Sequence, residues 1–136
     1  MGVPTIRVVA AVIARHGRYL ITQRRPQAAL PMRWEFPGGR VEEGESDAQA
    51  LTREIEHRLG VAVMVGEMIS FVRHPYDSYV VDLHLYEATI ETGEPEAKAV
   101  HAFRWVTSDE FDGVDFTPAD ETSMSQLLGL PVDDPA

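Results

Sequence analysis

The residues between Gly38 and Gly60 carry most of the chemistry this chain offers. Gly38-Gly39 is followed by Arg40, by the acidic run Glu42-Glu43-Gly44-Glu45 and, seven residues later, by Arg53-Glu54. Paired glycines let a backbone bend and come close to a ligand or ion. The Glu54 carboxylate has two uses: a cation or water in a site, or an ion pair with Arg58 four residues on, in the favourable Glu-then-Arg order. At 100° per residue on a helix, Arg53, Glu54 and His57 share a polar face opposite Leu51, Ile55 and Leu59, while Glu56 points roughly 160° away from Glu54. His57 suits a transition metal and is a poor ligand for magnesium, which prefers hard oxygen donors. Arg58 opposes any cation beside it. A guanidinium about 4 Å from a divalent ion costs on the order of 8 kcal/mol at an effective dielectric of about 20. Either Arg58 turns away or no divalent ion binds there.

A strand, a turn and a helix are needed to hold these groups. Ile6 to Ala14 is a Val- and Ile-rich run of the kind that forms a strand buried on both faces. His16-Gly17 predicts a turn and Tyr19 to Thr22 its hairpin partner. Gln23 to Arg33 reads as loop, with Pro26 and Pro31 blocking regular structure. Trp34-Glu35-Phe36 is a short extended piece. Ser46 to Leu59 predicts a helix: Ser46 and Gln49 have capping-box spacing, Asp47 suits the first turn and Gly60 the stop. Val61 to Val65 and Ile69 to Arg73 read as two strands, Tyr79 to Ile90 as the return after a turn at Pro75 to Ser78, and Ala102 to Val106 as another strand. Asp109 to Phe111 suggests a short helical turn and Pro118 to Leu128 a last helix. Strands interleaved with two helices imply an α/β fold, a mixed sheet covered by helices on both faces.

The bulk properties bound the function. A chain of 136 residues fits one domain with a real core. The net charge of -10 argues against a sequence-independent grip on polymeric nucleic acid, which needs a basic footprint. It leaves room for a small nucleotide held by a few arginines, and Arg7, Arg15, Arg18, Arg24, Arg25, Arg33 and Arg40 all fall in the first half. With no cysteine there is no disulfide framework and no thiol nucleophile. The start of the chain lacks a signal-peptide pattern, and no apolar run is long enough to span a bilayer, so the expectation is a cytoplasmic protein without a membrane partner.

The spacing Gly39, five residues, Glu45, seven residues, Arg53-Glu54, one apolar residue, and finally Gly60 before apolar Val61 resembles the Nudix box. Val9 to Arg25, the run Trp34 to Gly39, Trp105 and Pro118-Ala119-Asp120 resemble the small MutT-type members, in particular the CTP and 8-oxo-dGTP pyrophosphohydrolase branch. The resemblance covers most of the chain. It implies the Nudix α/β/α sandwich as a single domain over residues 1–131, with residues 132–136 as a frayed tail. It implies cleavage of a nucleoside triphosphate to monophosphate and pyrophosphate, with Mg2+ or Mn2+ neutralising the diphosphate and activating the water. On this resemblance the Gly38 carbonyl is a metal ligand, Arg53 holds Glu45 and orients the helix, and Glu54 lies near the metal or the attacking water. Glu35 and Asp120 contact the base, Arg24 and Arg25 meet phosphate or sugar, and Arg73 or His74 lies near the substrate. Asp120 equally reads as an acid favoured by a helix N-terminus, and Arg24 and Arg25 as a solvated strand end.

The chain departs from the family pattern where the paired glutamates stand, at His57-Arg58. It departs again at Ala99, beside Lys98, where relatives often supply another metal-binding Glu. Gly38, Glu54 and His57 are what remain for a metal, and Arg58 becomes a candidate substrate-binding group in place of the metal's charge. Two functions follow from the resemblance: a nucleoside triphosphate pyrophosphohydrolase working with a reduced clamp, or a catalytically inactive Nudix domain that binds a nucleotide or nucleoside diphosphate derivative without metal. A fold-only interaction protein is a third.

Overall fold

The apolar run near the N-terminus becomes β1 (Thr5–Val12), the strand on which the rest is assembled. In the computed structural model, which describes residues 2–127, β1 pairs in parallel with β7 (Val80–Thr92) and antiparallel with β5 (Gly38–Arg40). β7 pairs antiparallel with β6 (Ala62–Pro75), giving the sheet order β5-β1-β7-β6. This is the mixed sheet that the patterning predicts. A second, antiparallel sheet accompanies it. β2 (Ala14–Arg15) and β3 (Arg18–Gln23) form a hairpin, β4 (Trp34–Glu35) pairs with β3, and β8 (Ala102–Val106) lies along β3 as well. The hairpin turns at His16 and Gly17, both with positive φ, as a two-residue turn matched to the strand twist requires.

Strand alternation decides which helix covers which face. Val9 and Ala11 point one way and pack with Ala50, Leu51, Ile55 and Leu59 of α1 (Asp47–Leu59). Ala10 and Val12 point the other way, into a cluster with Phe36, Phe111, Phe116 and Ala119, the last from α2 (Pro118–Leu127). Both faces of β1 are therefore buried from Val9 onward, while its first residues are exposed or half-buried. α1 starts and stops as its sequence predicts. The Ser46 hydroxyl accepts from the Gln49 N–H at 3.1 Å, the Gln49 side chain accepts from the Ser46 N–H at 2.9 Å, and Gly60, at φ 73°, donates to Glu56.

Two expectations are corrected. Val61 to Val65 and Ile69 to Arg73 are not separate strands: apart from Val61, which precedes it, they are parts of the single long β6. Register shifts between Val65 and Met68 and between Met68 and Ser70 absorb the extra residues, so pairing with β7 resumes beyond them. The turn expected at Asp109 to Phe111 is a longer 3₁₀ helix, Ser108–Gly113, which seats Phe111 in the core. Leu128 and the tail at residues 132–136 lie outside the described residues. Among the described residues, no helix is long and apolar enough to cross a membrane.

Candidate functional site

The loop from β5 into α1 delivers the first cluster of charges. Arg53, on the second turn of α1, donates from Nε and Nη2 to the two oxygens of Glu45 at 2.7 and 2.9 Å, and from Nη2 to the Arg40 carbonyl at 3.0 Å. Glu45 also accepts from the Glu42 N–H at 2.9 Å. The bonds from Arg53 first, and from Glu42 second, hold the Glu45 carboxyl down at about 2, while the bond to Glu45 raises Arg53 above its ordinary value. Arg53 Nη1 also bonds the inward-turned Glu54.

Glu54 lies buried beneath Gly39, and a Cβ on Gly39 would overlap its carboxylate. Its second oxygen accepts from Arg58 Nε at 2.7 Å. Arg58 in turn stands 3.9 Å from Glu35, which accepts from Arg24 at 3.1 Å. Glu45, Arg53, Glu54, Arg58, Glu35 and Arg24 thus form one continuous row of alternating charge.

The far end of that row opens into a cavity of about 240 Å3. Glu35, Gly39, Arg58, Tyr76, Tyr79 and Asp120 are among the groups that line it. Asp120 is buried. One of its oxygens accepts from the Phe36 N–H at 3.0 Å and the other from the Thr117 hydroxyl. Burial first, and the Glu35 charge second, push its carboxyl up to about 7 against those two hydrogen bonds. Burial raises Glu35 too, opposed by Arg24 and Arg58. The Tyr76 ring stacks on Tyr79 at 5.1 Å, and its hydroxyl accepts from the Ala119 N–H at 3.3 Å. The loop wall is held by Arg24, whose Nε donates to the Ala29 carbonyl at 2.6 Å, with Leu30 and Met32 in the left-handed region at φ 50° and 63°.

The structure therefore brings together Glu35, Asp120, Arg24, Arg58 and Gly38 around one cavity. Glu54 lies behind Arg58 and Gly39, and Arg53 and Glu45 form the brace beside it. It does not bring in the other sequence candidates. Arg25 points away and donates to the Lys98 carbonyl at 3.0 Å. Arg73 makes a two-pronged pair with Asp82 at 2.7 and 2.9 Å. His57 is exposed and lines a separate open hollow with Lys98 and Ala99, not the place where Glu54 sits. Helical periodicity puts the two on one polar face, but Glu54 turns inward under Gly39 and His57 does not follow. Tyr76, Tyr79 and Thr117 are not among the sequence candidates, although the Thr-x-x-Asp spacing at Thr117 and Asp120 is a cap signal.

A magnesium-type site needs several oxygen donors aimed at one point. Each oxygen of Glu54 already faces a guanidinium. Among the described residues, no three His, Cys, Asp or Glu side chains converge as ligands. The residues present do not fit such an ion.

Comparison with known proteins places this geometry. Residues 8–126 match the NUDIX domain profile. The chain is 34% identical over 131 residues to the CTP pyrophosphohydrolase of Escherichia coli (strain K12), covering 96% of this chain and 97% of the relative. It is 30% identical over 124 residues to the 8-oxo-dGTP diphosphatase of Haemophilus influenzae, covering 90% and 91%. The solution structure of the E. coli ORF135 protein superposes with a TM-score of 0.80 at 32% identity, covering 98% of this chain and 96% of that one. The MutT protein from Methanosarcina mazei, at 20% identity and a TM-score of 0.84, shares the fold. With a matching profile over most of its length and relatives aligned almost end to end, the chain belongs to the Nudix family.

Proposed function

We propose that this Nudix domain binds a nucleoside phosphate in the cavity between Glu35 and Asp120 and holds it with arginine rather than with a divalent cation. The relatives' names, CTP pyrophosphohydrolase and 8-oxo-dGTP diphosphatase, supply the ligand class: a nucleoside triphosphate or its shorter phosphates. The observation that carries the reading is Arg58, lodged between Glu54 and Glu35. With one oxygen on Arg53 and the other on Arg58, Glu54 is already neutralised by two guanidiniums, which opposes a cation at its side and weakens it as a base, and hydrolysis needs one or the other. The base end keeps its chemistry. Asp120, near 7, offers a hydroxyl donor or a carboxylate acceptor, and Glu35 offers acceptors, a pair suited to an amino-bearing base edge.

Hydrolysis to nucleoside monophosphate and pyrophosphate is the second reading. The bidentate Arg53–Glu45 brace and the placement of Glu54 beside Gly39 favour it. One experiment separates the two. Pyrophosphate release from a panel of nucleoside triphosphates, with magnesium and with manganese, is measured for the parent and for His57→Glu/Arg58→Glu/Ala99→Glu, beside calorimetry in EDTA. The parent is expected to bind in EDTA and to release nothing above the blank. Release by the parent at the rate of the variant returns the protein to the hydrolases. Absence of binding to every nucleotide ends the proposal.

A further inference from the structure

The mixed sheet ends at β6, which among the described residues has a strand on one side only. Of the six large apolar side chains exposed among those residues, Met64, Met68, Ile69 and Phe71 are all on this strand. An edge strand leaves a row of N–H and C=O groups open to another strand, and proteins commonly close such rows with bulges, charges or proline. β6 has bulges and a proline, but only at its flanks. The register shifts between Val65 and Ser70 break the pairing surface on one side, and Pro75 ends it on the other. Between them, Ser70 to His74 pairs residue for residue with β7 and is left open along its outer side.

Hydrogen bonds at the turn between β6 and β7 reveal which residues face outward. The Tyr76 N–H donates to the Tyr79 carbonyl at 2.8 Å, while Val80, the partner of Pro75, donates away from β6 to the Pro4 carbonyl at 2.9 Å. Backbone groups alternate in direction along a strand. Those of Val72 and His74 therefore point to β7, and those of Phe71 and Arg73 point out over the edge. Pro75 falls in the same outward set, where its missing N–H removes no bond to β7. Phe71 and Arg73 lie opposite His84 and Asp82, and His84 is level with Val9, so both side chains are on the α1 face of the sheet. α1 does not cover them. The Phe71 ring packs on His84 at 4.9 Å yet stays 44% exposed, and Arg73, although it holds Asp82, keeps 65% of its side chain exposed.

We infer that β6 is a dimerisation strand, which pairs antiparallel with β6 of a second copy of this chain about a two-fold axis at Val72. In that register Phe71 meets Arg73 of the partner subunit. Both residues turn their N–H and C=O outward, so they exchange both backbone bonds, and the axis repeats the exchange. The side chains match as well: the guanidinium of Arg73 of the partner subunit lies beside the exposed Phe71 ring, cation against aromatic face. Neighbouring registers fit less well. An axis at Phe71 brings the bulge residue Ile69 opposite Arg73, and an axis at Arg73 sets two guanidiniums against each other. This interface does not depend on the function proposed above.

Sedimentation equilibrium over a range of protein concentrations tests the pairing, and a reversible monomer–dimer equilibrium is the expected result. Phe71→Lys sets an ammonium opposite Arg73 of the partner subunit and is expected to weaken the dimer at least about tenfold. Phe71→Glu meets the same arginine with a carboxylate and is expected to weaken it less. That order is diagnostic. On a chain of net charge -10, added positive charge favours unspecific association and added negative charge opposes it, which predicts the reverse. Thermal melts show that both variants are folded. Because the chain has no cysteine, Val72→Cys reports the axis independently. A residue paired with its own copy at a non-hydrogen-bonded position has Cα atoms about 4.5 Å apart, within disulfide reach. Oxidation with diamide is expected to give a covalent dimer from Val72→Cys and none from Met64→Cys. A parent that stays monomeric at every concentration, a Phe71→Glu protein that associates more weakly than Phe71→Lys, or a Val72→Cys protein that fails to cross-link overturns the pairing.

Discussion

Glu54 and Arg58 show how far single residues could be read in advance. Their spacing and order predict an ion pair, and the structure makes it at 2.7 Å. The sequence could not show that Glu54 would also be buried under Gly39 and bridged on its other oxygen by Arg53, because that depends on where β5 crosses the helix. The same burial separates His57 from the group it was expected to join. Truncating Arg58 to alanine leaves Glu54 with one partner and Glu35 with Arg24 alone. The expected cost is about 1–3 kcal/mol of stability, read as a lower urea midpoint, together with weaker nucleotide binding in EDTA. Tighter binding in Arg58→Ala than in the parent contradicts the role given to that arginine. Asp120 makes a second prediction through pH. Its folded value of about 7 exceeds the ordinary 3.8, so the native state holds the proton more tightly than the unfolded chain does. Stability is therefore lost as pH rises between those values, and the loss is complete above them. Asp120→Asn removes the titration, so its urea midpoint relative to the parent is expected to be higher at pH 8 than at pH 5. Equal differences at both values count against a raised Asp120.

At the scale of elements, what is local was legible and what is long-range was not. α1 announces itself through Ser46, Gln49 and Gly60, and each behaves as written. β1 announces itself through unbroken apolar residues. The division of the strands into two sheets depends on β3 meeting β8 far along the chain, and no local pattern encodes that pairing. The bulges of β6 escaped for a similar reason: Gly66 looks like a break, but β7 alongside lets the strand continue. The cap is open to a simple check. Ser46→Ala removes the acceptor for the Gln49 N–H and is expected to lower stability by about 1 kcal/mol with ligand binding unchanged. Gly39→Ala should act differently. Its Cβ falls on the Glu54 carboxylate, so that side chain must shift, and the charge row opens at its centre. Nucleotide affinity is expected to fall more than stability does. A Gly39→Ala protein with the parent's affinity shows that Glu54 need not be held where it is.

Over the whole molecule, the charge row and the net charge of -10 have to be weighed together. An acidic chain repels itself, and a site with a metal clamp of clustered glutamates adds to that repulsion until the ion arrives. Here Arg58 pairs with Glu54 within the fold, and on the proposed function it stands in the place of an ion. His57→Glu/Arg58→Glu/Ala99→Glu reverses this arrangement, because it removes the cation paired with the buried Glu54 and puts carboxylates at all three positions. The variant is expected to melt below the parent in EDTA and to be rescued by magnesium or manganese. At 100 times the dissociation constant, binding to the folded state alone adds about 2.7 kcal/mol, on the order of 10 °C for a domain of this size. The parent is expected to show no rise beyond that given by sodium chloride of equal ionic strength. The salt control matters because screening alone relieves surface repulsion over about 10 Å at 0.1 M. A specific divalent shift in the parent equal to the variant's contradicts the internal arginine clamp. A shift confined to the variant shows that these three positions decide whether the fold is completed by an arginine or by an ion.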